Sequence, residues 1–179
     1  GLGDVYKRQD KKSIADVDVI HHNLFTNQIA YLMLAFDCKK VPDELLPYVG
    51  LLSSVLGLMD THKHTYPELT NEININSGGI ATDAAIYTDS KDFSKYTVMY
   101  EVKGKVLYEK LPFVLEMMHE IIYETKFEDE KRLREIIARI KSRMESNMTG
   151  SGHTVAMLSA MAQFSPSSYC LLYTSPSPR

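Results

Sequence analysis

The six histidines are the residues of this sequence best suited to metal chemistry, and their spacing decides whether they can perform it. A zinc-peptidase helix of the H-E-x-x-H kind sets two imidazoles at i and i+4 on one face. His119-Glu120-Ile121-Ile122-Tyr123 begins that pattern and fails at its last position, because a phenol is a poor zinc ligand. His119 therefore reads as a histidine at the edge of a packing stripe. The inverted form, H-x-x-E-H, is absent, since no histidine is followed by glutamate three residues later. His62-Lys63-His64 and His21-His22 could each clamp a metal from a loop. Short histidine pairs without a nearby acidic or cysteine partner are usually solvated, and both pairs are read so.

Two further stretches invite a chemical reading. Ser151-Gly152-His153 places a hydroxyl and an imidazole at a glycine-flanked turn. It lacks the G-x-S-x-G frame and a preceding strand, and Ser151 capping the next helix explains the same residues. Lys131, Arg132, Arg134, Arg139, Lys141 and Arg143 form a basic run preceded by Glu128, Asp129 and Glu130. That order suits a helix dipole, and no aromatic residues interleave for base stacking, so the run reads as a solvated helix face. No residue of the chain is assigned a catalytic, cofactor-binding or metal-ligating role.

The elements that would have to position such groups follow from composition and periodicity. The 179 residues suffice for one domain with a core, and 44% apolar with 24% charged residues is ordinary for a globular chain. A net charge of -3 carries no polybasic signature, which excludes nucleic acid as an implied partner. No apolar run reaches the roughly 18–20 residues of a membrane helix, so no membrane partner is expected. Two cysteines, Cys38 and Cys170, make no disulfide framework and fit a reducing compartment.

Residues 24–37 read as a strand with Tyr31, Met33 and Ala35 on one face and Leu32, Leu34 and Phe36 on the other. Apolar residues on both faces predict a central strand. Val41-Pro42-Asp43-Glu44 opens a helix that is apolar nearly all round from Leu45 to Met59, hence buried. Thr65-Tyr66-Pro67-Glu68 has capping-box spacing and opens a second helix, which Gly78-Gly79 closes. Ile80–Thr88 and Tyr96–Lys103 read as a hairpin. A stripe of Leu107, Leu111, Val114, Leu115, Met118, Ile121 and Ile122 predicts a helix over 107–124. A last helix from Glu128 turns Leu133, Ile136, Ile137, Ile140, Met144 and Met148 inward, breaks at 150–152 and resumes from His153 to Gln163. The order predicts an α+β fold, a mainly antiparallel sheet with helices packed on one face.

Both ends look foreign to this fold. Residues 1–9 and the Ser/Pro-rich residues 171–179 resemble translated adapter sequence, which leaves 10–170 as one incomplete domain and puts Cys170 in question.

Several ordered segments resemble a known family. Thr26–Tyr31, Phe36-Asp37, Val41–Tyr48, Tyr66–Leu69, Ser77–Ile80, Phe127–Leu133, Ser151–His153 and Phe164–Pro166 are similar to the C-terminal half of presequence proteases. These form the oligopeptidase branch of the pitrilysin–insulinase metallopeptidases, and the resemblance covers about residues 14–169. One departure is Gln28, where the family usually has glycine.

The resemblance implies a four-domain zinc metalloendopeptidase whose two halves close around a chamber for unfolded peptides. Zinc and its H-x-x-E-H would belong to an N-terminal domain absent from this chain, where a zinc-bound water would hydrolyse the peptide bond. This chain would be a degenerate third-domain copy, with Val49, Leu52 and Ser53 where the zinc helix has His, Glu and His. Its partners would be the other domains of the same polypeptide and the enclosed peptide. The implied setting is a bacterial cytoplasm, or alternatively an organelle matrix. The alternative reading is a scaffold subunit of the same fold without peptidase activity.

Overall fold

The structure, a computed structural model, describes residues 9–92 and 95–150, together with five helical positions beyond: His153, Ala156, Met157, Ala160 and Met161. Residues 1–8, 151–152 and 171–179 lie outside the described residues, so the readings of the two ends and of Ser151 as a cap have no counterpart in it.

β1 (Gln9–Ile14) and β2 (Val17–His22) form a two-stranded antiparallel ribbon. Their two-residue turn, Ala15-Asp16, has φ of 48° and 62°, the left-handed conformation that matches the twist of a tight hairpin. The sequence reading assigned no element here, because neither residue is the glycine that usually marks such a turn.

β3 (Ile29–Asp37), β4 (Ile80–Thr88) and β5 (Tyr96–Leu107) make a second antiparallel sheet in the order β3-β5-β4. The 24–37 strand thus begins at Ile29, after Asn27 and Gln28 at φ of 50° and 64°. Glycine would occupy the Gln28 conformation without a Cβ penalty, which explains the departure noted there. Among the described residues β3 is an edge strand rather than the central one. Leu32 and Leu34 pack on the core, while Tyr31 and Met33 are 66% and 55% exposed. The central place belongs to β5, whose outer face carries Glu101, Lys103 and Lys105.

Helices cover the inner face. α1 (Leu46–Val55), α2 (Tyr66–Asn76) and α3 (Leu111–Tyr123) share one apolar cluster with Val98, Tyr100, Val102 and Val106 of β5. The fold is α+β, with antiparallel sheets and the helices on one side, as the element order predicts. α1 stops at Val55 rather than Met59, because Leu56 is extended and Gly57 turns the chain at φ 80°. Val55 and Met59 then meet Ile136 and Ile140 of α4 (Glu130–Gly150) in a second cluster. α1 is accordingly apolar all round because it lies between the sheet and α4.

The capping box at α2 is present: the Glu68 carboxylate accepts hydrogen bonds from the Thr65 backbone N–H at 2.9 Å and its hydroxyl at 2.7 Å. The stripes need small corrections. On α3, Met117 is buried while Leu115 is 43% exposed, and on α4 Ile137 and Met144 are also substantially exposed. A 13-residue helix presents only one narrow face to a three-stranded sheet, so flanking apolar positions stay outside.

The closest packing is at Gly104 of β5. A Cβ there would lie 2.8 Å from Val114 Cγ1 and nearer still to Met118 Cε. Gly104→Ala should therefore destabilise the chain by about 1–3 kcal/mol through overpacking. Urea unfolding measures this, and an unchanged midpoint would mean that α3 does not sit on β5 as described.

Candidate functional site

α1 places the three positions that the resemblance aligned with a zinc helix. Val49 and Leu52 are half-buried against the main core. The Ser53 hydroxyl donates to the Gly50 carbonyl at 2.7 Å, and the Ser53 carbonyl accepts from Thr82 Oγ1 at 2.6 Å. These bonds fasten α1 to β4. Two of the three side chains have no donor atom for a metal, and the third is spent on its own helix, so this surface does not fit zinc.

The rejected histidine motifs converge elsewhere. Residues 60–65 fold over the C-terminal end of α3, joined by a bridge between Thr61 and Thr125. Glu120 is fully buried there, and its Oε1 accepts from Thr61 Oγ1 and lies 2.8 Å from His64 Nδ1. Glu120 Oε2 has no hydrogen-bond partner among the described residues. Around the rim, Lys63 Nζ lies 3.0 Å and His119 Nδ1 3.6 Å from Glu124 Oε1. His62 donates its backbone N–H to the Glu124 carbonyl.

Histidine and carboxylate thus meet, yet among the described residues no three His, Cys, Asp or Glu side chains form a group able to hold a metal ion. The arrangement fits a polar clamp: a carboxylate buried at this depth needs donors, and Thr61 and His64 supply them from the loop. Sequence reading noticed Glu120 only as part of a failed motif. The missed signal is its phase, because Glu120 stands three residues from Met117 and beside Ile121, inside the apolar stripe.

The remaining candidates stay apart. His21 and His22 are exposed on β2 opposite Asp10 and Gln9, and His153 is exposed. Burial pushes the Cys38 thiol up, which keeps it protonated and inert as a nucleophile. On the outer sheet face the Tyr87 hydroxyl donates to buried Glu101, with Lys103 Nζ 2.6 Å from Glu101 Oε2. A cation and a phenol close this carboxylate off from further chemistry.

The geometry therefore presents a peptidase-like helix without its ligands, and comparison with known proteins bears on the same point. The family model for the peptidase-associated region of metallopeptidase family 16, subfamily C, matches residues 1–174. The chain belongs to this peptidase-associated family. "Protein HypA" of Clostridium perfringens is 34% identical over 148 residues, which is 83% of this chain and 15% of that protein. "Presequence protease 1, chloroplastic/mitochondrial" of Arabidopsis thaliana is 30% identical over 163 residues, 87% of this chain and 15% of that protein. The "Presequence protease, mitochondrial" of Xenopus tropicalis is 27% identical over 151 residues, 84% and 15% respectively. This peptidase-associated chain is homologous to a stretch of the presequence proteases, and it spans about 15% of the length of these relatives. Among its described residues no helix is long and apolar enough to cross a membrane.

Two outcomes follow from the geometry. Leu52→Ala should cost about 2–3 kcal/mol, the lower part of the range for large-to-small core changes because Leu52 is half-buried. A loss below about half a kilocalorie in urea unfolding would place α1 away from the sheet.

The second outcome concerns acid. The hydrogen bond from Lys63, reinforced by its charge, holds the Glu124 carboxyl below its ordinary value of 4.5. A depressed pKa in the folded state contributes stability above the unfolded value, and that contribution fades as pH falls through the folded one. Urea midpoints followed downward from pH 6 should fall less steeply below 4.5 for Glu124→Gln than for the parent chain. Coincident acid limbs would show that the Lys63–Glu124 contact does not form.

Proposed function

We propose that this chain is a non-catalytic, peptidase-like domain of a zinc oligopeptidase, contributing wall and interdomain packing to a chamber that encloses unfolded peptides. The observation that carries the reading is α1. The helix keeps its place over the sheet, yet Val49, Leu52 and Ser53 spend that place on packing and on a bond to β4. Such a helix can still support a wall, which matters to a zinc peptidase because enclosure excludes bulk water and limits substrate size.

Membership in the peptidase-associated family and homology to presequence proteases support this assignment. On this reading zinc belongs to another domain of the longer polypeptide, and the partners of this chain are its sister domains and the enclosed peptide. The compartment would be a bacterial cytoplasm, with an organelle matrix as the alternative. Residues 10–170 would be the incomplete domain itself, flanked by ends foreign to it.

The test is retention of zinc and cleavage of peptides. The chain, purified without a histidine tag and dialysed against a mild chelator, should hold no stoichiometric zinc by elemental analysis. It should also leave quenched peptides uncut, beside a full-length presequence protease as the active control. One equivalent of zinc surviving dialysis, or chelator-sensitive cleavage by the chain alone, would overturn the reading.

A further inference from the structure

The open edge of β3 is the least guarded surface of the molecule. Edge strands normally carry a charge, a proline or a bulge that discourages another strand from pairing with them. β3 has none of these: Ile29–Phe36 contains no charged residue and no proline, and its register against β5 runs unbroken from Ile29↔Leu107 to Asp37↔Met99. The opposite edge, β4, carries Asp83 at its middle and is bonded to α1 through Thr82.

The direction of the free backbone groups follows from two bonds. Tyr108 donates to the Gln28 carbonyl and Cys38 donates to the Val98 carbonyl, so even-numbered residues of β3 bond towards β5. By alternation Tyr31, Met33 and Ala35 turn their N–H and C=O groups to the open side.

The sequence of this edge is nearly its own mirror image. Read about Met33, Leu32 stands opposite Leu34, Tyr31 opposite Ala35, and Ala30 opposite Phe36. An antiparallel copy laid across a twofold axis at Met33 would set each large side chain against a small one, and leucine against leucine on the helix side. About six backbone hydrogen bonds would form, two for each of three facing residue pairs. The inner-face leucines are already half-buried and would extend the core across the axis, while exposed Tyr31 and Met33 would be covered on the outside.

We propose that β3 is an isologous interface: two copies of this chain pair antiparallel through their β3 edges, centred on Met33, into one continuous six-stranded sheet. The inference is independent of the proposed peptidase role.

Sedimentation equilibrium of the 179-residue chain should give a mass near twice 20.3 kDa, moving towards the single mass on dilution. Met33→Lys places a charge on an exposed side chain at the axis and should restore the single mass. Ile75→Lys, on the exposed face of α2, should leave the dimer intact and so exclude general stickiness. The register has its own test. Facing Cα atoms in a hydrogen-bonded antiparallel pair lie about 5.5 Å apart, within disulfide range. In a Cys170→Ser background, mild oxidation of Met33→Cys should give a covalent dimer, whereas Tyr31→Cys, facing Ala35, should not. Buried Cys38 does not compete. A chain of single mass at every concentration overturns the proposal. So does a dimer indifferent to Met33→Lys, or one that cross-links through Tyr31→Cys in preference to Met33→Cys.

Discussion

β5 is the strand on which the second sheet depends, because β3 and β4 bond to it and not to each other. It can serve as that spine only by presenting two chemically different faces. Val98, Tyr100, Val102 and Val106 are buried under the helices, and Gly104 interrupts this row where Met118 and Val114 press closest. A side chain at Gly104 would hold α3 off the sheet; without one, the methionine fills the gap with a flexible thioether. The approach of α3 to β5 in turn fixes where the end of α3 falls, and therefore where the 60–65 loop can close.

Two fully buried carboxylates mark the places where the apolar core meets its boundary. Glu120 fastens the loop through Thr61 and His64, and Glu101 fastens the outer sheet face through Tyr87 and Lys103. Each brings two donors onto a charge that would otherwise be costly to bury. Their value is positional. Removing a donor leaves the carboxylate exposed to the full desolvation penalty, so alternative packings of loop or strand are disfavoured more than the native one is strengthened. Burial also pushes the Tyr100 phenol up to about 12, which keeps that core hydroxyl neutral beside β4.

Much of this architecture is legible in residue order, and the illegible parts share a cause. Helices announced by strong local signals stand where periodicity puts them, the capping box at Thr65 and Glu68 above all. The β4–β5 hairpin does too, its second strand running four residues longer than read, to Leu107. Errors arise where a residue answers to something distant. β3 looks central because both faces are apolar, yet which neighbour it has is set by β5 and not by its own composition. The β1–β2 turn uses Ala15 and Asp16 in a conformation whose usual marker is glycine, so no local cue survives. Glu101 and Glu120 look solvent-facing until the donors that meet them, 14 and 59 residues away, are brought into place by folding. The absence of ligands at Val49, Leu52 and Ser53 can be read directly, whereas their wedging against β4 cannot.

That wedging explains how a helix of this kind can outlast a chemical role. A ligand-bearing helix must leave one face open, since a metal and its substrate need room and water. Here α1 has sheet on one side and α4 on the other, with Leu51 and Val55 turned to α4 and Val49 and Leu52 turned to the main core. Replacing imidazole and carboxylate by valine and leucine converts an open polar face into buried apolar area, worth about 25 cal/mol for each square ångström removed from water. Reversing the change would bury charged groups without water or metal to receive them, against a penalty of several kcal/mol each. Once α4 and the sheet close on both sides, packing itself opposes the return of a site, and the helix persists as a structural member.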